Sequence, residues 1–312
     1  MITSIAVYVC THKRNGPLRR MLDSLAVAAA RVQPEVEIAV AVIDDNPDGR
    51  AKEVVEGFGG PGGAEPFLRG LHYRHSGAQN ISIARNLGLE TTMPLADWVA
   101  MTDDDQTVVP EWFEALIEMQ VEAGCDAVTG PVLNRYPDGA ASWLTDQPWG
   151  DLMVAPMEEH GKQVELCSTG NSMVRTLFLV DHPDIRFRED LGVVGGEDMV
   201  FYRTATSAGL DARFSQTALC HTEMPPERET YRYHLRSCYW LGNSIYLTNI
   251  ESGEASKARL VVRGVKQAVQ GAARPLVRRA QGKNPQWRFA GATVARSFGI
   301  LVGVIGIRVA HP

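Results

Sequence analysis

The chain has 312 residues, of which 45% are hydrophobic and 22% are charged, a composition typical of a globular protein and not of a disordered one. Its length predicts one large domain, or one domain with a smaller appendage. Five cysteines without close spacing argue against a disulfide framework and favour a reducing compartment. The first ten residues lack the basic region that begins a signal peptide, so none is expected.

The charges are distributed unevenly along the chain. All 37 acidic residues lie at or before Glu254, whereas residues 255–312 contain 11 of the 31 lysines and arginines. The first 254 residues therefore carry a net charge of −17 and the remainder carries +11. An acidic body argues against nucleic-acid binding, and a basic, apolar C-terminal region suits an anionic surface.

Hydrophobic patterning predicts that strands and helices alternate through the first 130 residues or so. Apolar runs rich in β-branched residues predict strands at residues 5–9, 36–43, 98–102, 127–129 and 212–219. Helical spacing predicts a helix from Pro17 and further helices at 81–89, 111–122, 199–208 and 231–250, with a glycine- and proline-rich loop at 58–66. The alternation predicts an α/β fold with a largely parallel sheet, in which a ligand binds beyond the carboxyl ends of the strands.

Polar residues follow three of the predicted strands and should meet at one edge of the sheet. Thr11 follows the first strand, Asp44 and Asp45 end the second, and Asp103-Asp104-Asp105 follows the third. Adjacent carboxylates repel one another, and Mg²⁺ or Mn²⁺ would relieve that repulsion and bridge to phosphate oxygens. The structural alternatives are an Asx-type turn at the first aspartate pair and an acidic turn at the triplet.

Three further features carry candidate chemistry. Arg85, in an otherwise apolar helix start, is suited to a diphosphate or to a nearby aspartate. Gly195-Gly196 would allow close approach of a substrate, and Glu197 or Asp198 after them would act as a general base or simply favour a helix N-terminus. His221 becomes a metal ligand if it faces the acidic triplet, and is otherwise an ordinary histidine at a sheet edge.

Six segments, taken together and in order, carry a resemblance to a known family. They are VCTHKR (9–14), VIDDN (42–46), ARN (84–86), MTDDD (101–105), STGNS (168–172) and GGED (195–198). Over roughly residues 3–222 the chain resembles the inverting family-2 glycosyltransferases of GT-A fold, and within them the bacterial exopolysaccharide glucosyltransferases of the succinoglycan type. It departs from the commoner pattern at His12-Lys13 and at Gln106, which are not expected to touch the reacting groups.

The resemblance implies a role for each matching residue. The residues that would bind a UDP-sugar are Thr11, His12, Arg14, Asp44, Asp45, Arg85, Asp103 and Asp104. Asp105 and Asp103 would hold Mn²⁺ or Mg²⁺, and His221, which lies outside the six segments, would join them only if it faces Asp105. Asp198, or else Glu197, would deprotonate the acceptor, and the acceptor side would include Gly170, Asn171, Gly195 and Gly196. The implied reaction is inverting, metal-dependent transfer of a hexose to a hydroxyl of a saccharide acceptor, one carried on a polyprenyl lipid. Because the Gln-x-x-Arg-Trp motif of processive members is missing, one sugar is expected per encounter.

Two other functions stay open at this point. A sugar-phosphate nucleotidyltransferase would share the α/β layout, but it would need a basic, glycine-rich loop after the first strand to hold a triphosphate. A catalytically inactive binding module of the same fold is the other alternative, and intact Asp105 and Asp198 argue against it.

The C-terminal region is predicted to be helical and to lie on a membrane, beyond a catalytic domain at residues 1–222. Residues 258–270 form an amphipathic pattern, with Arg259, Arg263 and Lys266 on one face. Residues 298–307 are apolar but much shorter than the roughly 20 residues that span a bilayer. We therefore expect the region 223–312 to bind the anionic inner face of the cytoplasmic membrane through residues 255–312. Packing on the acidic body and a homodimer interface are the alternatives.

Overall fold

The structure is a computed structural model that describes residues 2–58, 67–152 and 157–310, so the loop predicted at 58–66 lies almost entirely outside it. The strands are β1 (Ser4–Thr11), β2 (Glu37–Asp44), β3 (Leu71–His75), β4 (Trp98–Asp103), β5 (Gln106–Val108), β6 (Ala127–Thr129), β7 (Val132–Arg135), β8 (Asn171–Arg175), β9 (Ala212–Phe214) and β10 (Cys220–Glu223). The helices are α1 (Asn15–Val32), α2 (Ala51–Glu56), α3 (Ile81–Thr92), α4 (Trp112–Ala123), α5 (Ser142–Thr145), α6 (Thr176–Asp181), α7 (Glu197–Ser207), α8 (Tyr231–Glu251), α9 (Lys257–Ala280) and α10 (Trp287–Val304).

These strands form two sheets. The larger has the order β3-β2-β1-β4-β8-β6-β9, and the smaller has the order β5-β10-β7. Strands β3, β2, β1 and β4 are parallel, while β8 runs antiparallel to both of its neighbours. The mostly parallel sheet confirms the predicted α/β fold, and the antiparallel strand β8 within it is an addition that the alternation of elements did not predict.

The core forms because the strands are apolar throughout and the helices are apolar on one face. Every residue of β1 is buried. The five residues that helical spacing places on one face of α1 are buried as well: Leu18, Met21, Leu22, Leu25 and Ala29. Burying one such leucine contributes about 1.5–3 kcal/mol. All five cysteines are buried and unpaired, as the sequence predicted.

The register of the central strands brings the predicted polar residues to one edge. Thr11 pairs with Asp44 across β1 and β2, and Cys10 pairs with Asp103 across β1 and β4. The chain passes from β1 to β2 on one side while β4 lies on the other, so the loops that follow β1 and β4 diverge and leave a crevice. The predicted meeting of the strand ends is confirmed.

One predicted strand is wrong in extent. The strand expected at 212–219 ends at Phe214, because the next residues are polar and their backbone bends, with Leu219 N donating to the carbonyl of Thr217. Strand β10 then begins at Cys220, so His221 lies inside a strand and not after one.

The described residues group into two compact units. The first comprises Met1–Arg135, Met157–Gly192 and Glu197–Glu223, and the second comprises Tyr136–Pro156, Val193–Gly196 and Met224–Pro312. The last break falls beside the domain boundary predicted at 222/223. The two inner segments of the second unit were not predicted.

Three packed helices dominate the second unit. A buried cluster of Tyr246, Leu247, Leu260 and Ile300 joins α8, α9 and α10. The apolar segment at 298–307 takes part in this packing, since Gly299, Ile300 and Gly303 are buried and the helix ends at Val304. Phe298, Ile305 and Ile307 stay exposed. Over the described ranges, none of the helices combines the length and apolar character needed to cross a bilayer.

Candidate active site

The loop after β1 partly neutralises the aspartates that follow β4. Thr11 Oγ1 donates to Asp104 Oδ2 at 2.7 Å, and Arg14 donates to Asp104 Oδ1 at 3.0 Å and to Asp105 Oδ2 at 2.9 Å. Burial raises the pKa of Asp104 to about 6, although Arg14 and the Thr11 hydroxyl oppose that rise. The side chain of Asp104 is only 5% exposed. Asp104 therefore links two loops, and its contact with a nucleotide stays a prediction.

Asp103 has different partners from Asp104 and is more exposed. Its Oδ1 lies 3.6 Å from the Arg85 guanidinium and its Oδ2 lies 3.5 Å from Gln106 Nε2. A Cβ added to Gly170 would fall 2.5 Å from Gln106 Nε2 and 2.9 Å from Asp103 Oδ2. Gly170 is therefore beside Asp103, where a side chain would displace the carboxylate. Gln106 contacts Asp103, contrary to the expectation that this departure from the family pattern lies away from the reacting groups.

Arg85 is buried, and carboxylates surround it. Its Nη1 donates to Glu197 Oε1, and its guanidinium lies over the ring of Phe187, 5.6 Å from the ring centre. Burial would lower the pKa of Arg85, but Glu197, Asp103 and Asp198 outweigh it and raise that pKa. Glu197 is itself only 6% exposed. Arg85 and Glu197 thus form a buried ion pair, whereas the structural alternative for Arg85 was pairing with an aspartate.

Asp198 differs from its neighbour Glu197 in both exposure and partners. Both residues lie in the first turn of α7, where the helix dipole favours negative charge. The Asp198 side chain is partly exposed, and its Oδ1 accepts a hydrogen bond from the backbone N–H of Met199 at 2.8 Å. Of the two candidate bases, Asp198 is therefore the more exposed residue.

Asp44 is a structural residue. It is fully buried, and its Oδ1 accepts from the N–H of Asn46 while its Oδ2 accepts from the N–H of Ala51 and from the hydroxyl of Tyr73. Desolvation and then the charge of Asp44 raise the pKa of Tyr73 to about 12, so the tyrosine remains a donor. Asp44 thus forms the Asx-type turn that the sequence left as an alternative, and its role in nucleotide binding stays a prediction.

Asp45 and His12 lie together at the ends of β2 and β1. The Asp45 Oδ1 accepts hydrogen bonds from Ser76 Oγ at 2.6 Å and from the N–H of Ala78 at 3.1 Å. His12 Nδ1 lies 3.2 Å from the backbone oxygen of Asp45. The structure thus places Asp45 and His12, two of the residues predicted to bind the nucleotide sugar, beside the loop that follows β3, with Asp45 buried.

Asn171 does not lie on an open acceptor surface. It is fully buried; its Oδ1 accepts from Trp112 Nε1 at 2.8 Å, and its Nδ2 donates to the carbonyls of Pro131 and Ala218 at 3.0 and 2.7 Å. An amide with all of these groups occupied is a structural link. The predicted acceptor-side roles of Asn171 and of its neighbour Gly170 both stay predictions.

The predicted metal ligands are only partly brought together. Asp103 and Asp105 have side chains that are 39% and 21% exposed, and carboxylate oxygens are the ligands that Mn²⁺ and Mg²⁺ prefer. His221 lies instead near Arg135 and Glu223: burial and then Arg135 lower its pKa, and Glu223 opposes them. Within the described part of the chain, no three His, Cys, Asp or Glu side chains are close enough to hold an ion. The chemistry of the two carboxylates suits a divalent cation, and their role as ligands stays a prediction; the set with His221 is not assembled.

Gly195 and Gly196 belong to the second unit. Both have left-handed backbone angles, with φ of +89° and +93°, which residues with a Cβ rarely adopt. The ring of Trp240 packs directly on Gly195, and its Nε1 donates to the carbonyl of Val194 at 2.7 Å. Both glycines are therefore required by conformation, and Gly195 also by the tryptophan that covers it; sequence reasoning did not connect Trp240 to this loop.

Comparison with known proteins gives consistent results. A family model described as Glycosyl transferase family 2 matches residues 6–181. The succinoglycan biosynthesis protein ExoM of Rhizobium meliloti (strain 1021) is 33% identical over 228 residues, which are 72% of this chain and 68% of ExoM.

Solved structures share the fold at low sequence identity. The mannosyltransferase PcManGT from Pyrobaculum calidifontis, solved with GDP-Man and Mn²⁺, has a TM-score of 0.66 and 15% identity, and the match covers 97% of this chain and 87% of that one. TarS 1–349 of S. aureus, solved with UDP, has a TM-score of 0.55 and 16% identity, with coverage of 95% and 89%. These similarities concern the fold.

Proposed function

The chain belongs to glycosyltransferase family 2, and from that premise we propose that it transfers a hexose from a UDP-sugar to a hydroxyl group of a saccharide, with inversion at the anomeric carbon. One observation carries the proposal. At the crevice beside β1 and β4, the side chains of Asp103 and Asp105 are partly exposed. The neighbouring carboxylates of Asp104 and Glu197 are instead buried in ion pairs with arginine.

Asp198 is the proposed general base. In a single displacement, its carboxylate takes the proton of the acceptor hydroxyl while that oxygen attacks the anomeric carbon, and the bond from that carbon to the UDP oxygen breaks. A base needs a carboxylate that a substrate can reach. Because Glu197 is paired with buried Arg85, the choice between the two neighbours favours Asp198.

The donor would bind at the ends of β1, β2 and β4. Thr11, His12 and Asp45 line the nucleoside side in this proposal, and Asp103 faces the sugar diphosphate. TarS was solved with the nucleotide UDP and PcManGT with the nucleotide sugar GDP-Man, which supports a nucleotide-sugar donor. The choice of uridine rests on the resemblance of the motifs.

A divalent cation, Mn²⁺ or Mg²⁺, would be held by Asp103 and Asp105. When bound, it would neutralise charge on the departing diphosphate. PcManGT was solved with Mn²⁺. The chain's own contribution is to leave these two carboxylates partly exposed. Arg14, which also pairs with Asp104, contacts Asp105, and Arg85, which also pairs with Glu197, lies near Asp103.

The acceptor is proposed to be a lipid-linked saccharide, in exopolysaccharide synthesis. ExoM, the 33% identical relative, is a succinoglycan biosynthesis protein. The basic C-terminal region and the five free cysteines favour a position at the inner face of the cytoplasmic membrane, as a peripheral protein.

Release of UDP from a panel of UDP-sugars, with and without Mn²⁺ and with a polyprenyl-linked saccharide, tests the proposal. The expected result is cation-dependent release with one sugar, together with a product of inverted anomeric configuration. Retention of configuration would refute the single displacement. A complete lack of release from every nucleotide sugar would leave an inactive binding module.

A further inference from the structure

The second unit carries a row of exposed apolar side chains along α9. Val262, Val265, Val269 and Leu276 are 67%, 48%, 63% and 63% exposed. Their spacing, with exposed Ala272 completing the row, alternates between three and four residues. At 3.6 residues per turn this row occupies an arc of about 80° on the helix. It is a continuous stripe, and not a scatter of single exposed residues.

The other side of α9 attaches the helix to its unit. Leu260, Gly264, Gly271 and Pro275 are its buried residues. Positions for a Cβ on Gly264 and Gly271 would lie 3.0 Å from Leu301 and 3.1 Å from Thr293 of α10. At about 100° per residue the centres of the two faces lie about 130° apart on the wheel. Packing on α10 therefore accounts for the small buried residues of α9 but not for the valines.

Exposed cations flank the apolar row. Arg259, Arg263 and Lys266 lie along one side of it, Arg279 lies on the other side, and α9 contains no acidic residue. An apolar stripe bordered by lysine and arginine is the pattern of a helix that lies in the interface of an anionic bilayer.

We propose that this outer face of α9 (Val262, Val265, Val269, Ala272 and Leu276, with Arg259, Arg263 and Lys266) docks on an anionic lipid bilayer. The helix lies parallel to the surface, its apolar row among the acyl chains and its cations at the headgroups. This names the contact surface for the peripheral attachment in the proposed function, and it replaces the segment 298–307, whose central residues pack inside the helical unit.

Charge argues against a second copy of this chain as the occupant. A symmetric pair would place the same patch of each copy against the other. Arg259, Arg263 and Lys266 would then face their own counterparts without a carboxylate from α9 to offset them. Anionic lipid supplies the opposite charge along the whole stripe.

Co-sedimentation of the full chain with vesicles tests the proposal. Binding to vesicles that contain phosphatidylglycerol should exceed binding to pure phosphatidylcholine vesicles, and it should weaken as salt is added. Val262→Asn/Val269→Asn should reduce the partition coefficient at least about tenfold. Both valines are more than half exposed in the free protein, and their apolar side chains would no longer be buried in the bilayer. Arg263→Gln/Lys266→Gln should reduce it about fivefold for each charge removed.

The matched control is Val27→Asn/Val121→Asn. These valines are 55% and 64% exposed on α1 and α4 of the first unit, so the same chemical change is made at similar exposure elsewhere. The control should bind vesicles as the unaltered chain does. Equal loss in both pairs, or indifference of the full chain to anionic vesicles at low salt, would overturn the proposal.

Two more measurements distinguish lipid docking from dimer formation and from catalysis. If sedimentation equilibrium gave a dimer that Val262→Asn/Val269→Asn dissociates, the face would be an interface between copies and the proposal would be wrong. UDP release with a water-soluble acceptor should be unchanged in these variants. Vesicle binding without any UDP release would contradict the proposed enzymatic function and leave the docking surface standing.

Discussion

Replacing Arg85 with methionine should be among the most destabilising single changes in the first unit. The substitution keeps an unbranched side chain of similar length and removes the charge that compensates Glu197. Glu197 is 6% exposed, so its carboxylate would be left buried without its partner. Breaking a buried ion pair from one side costs about 3–5 kcal/mol. The second carboxylate near Arg85, Asp103, is 39% exposed at 3.6 Å, and such a contact adds only about 0–1 kcal/mol.

The double variant Arg85→Met/Glu197→Met should recover most of this loss, because replacing both members of a buried pair with apolar side chains is often neutral. Urea unfolding followed by circular dichroism gives the free energies for the cycle. A surface pair provides the control: Arg31 and Glu114 are 42% and 34% exposed, so Arg31→Met should cost about 1 kcal/mol or less. A cost below about 1 kcal/mol for Arg85→Met, or a double variant no more stable than the single one, would refute the buried pair.

Three further changes concern the site itself. Asp198→Asn should lower kcat about 10²–10⁴-fold with the Kd for UDP nearly unchanged; a parallel loss of UDP affinity by calorimetry would reassign the residue to donor binding. EDTA should abolish activity, and Mn²⁺ should restore it in the unaltered chain but not in Asp105→Ala. Full activity of Asp105→Ala would contradict the metal assignment. Gly170→Ala should lower kcat/KM while leaving the melting temperature close to that of the unaltered chain, because its Cβ meets the movable ends of Asp103 and Gln106; unchanged kcat/KM would show that Asp103 is free to shift.

The fold could be predicted largely because its signals are local. A strand such as β1 is apolar at nearly every position, and the face of α1 is set by residues three and four apart. The sequence also predicted that Thr11 and Asp103, at the ends of β1 and β4, lie at one edge of the sheet, since parallel strands bring their carboxyl ends together. Strand β8 was missed because it is short and antiparallel, and only its pairing with β4 and β6 identifies it.

Side-chain roles were harder to predict because they depend on distant partners. Glu197 and Asp198 are adjacent carboxylates that the sequence alone does not distinguish. The residue that pairs with Glu197 is Arg85, which is 112 residues away in the sequence. Asp44 and Asn171 sit in motifs that resemble a binding site, yet backbone groups and single side chains from elsewhere occupy their polar atoms. No spacing along the chain reveals such pairings.

The position of β8 also has a consequence for the order in which the protein is made. Strand β4 ends at Asp103, but the strand that covers its free edge ends only at Arg175. At synthesis rates of 5–20 residues per second, the edge of β4 waits on the order of 4 to 14 seconds for its partner to leave the ribosome. An unpaired apolar edge is a template for aggregation. Nascent chains truncated between these strands should therefore depend on chaperones more strongly than those that extend beyond Arg175.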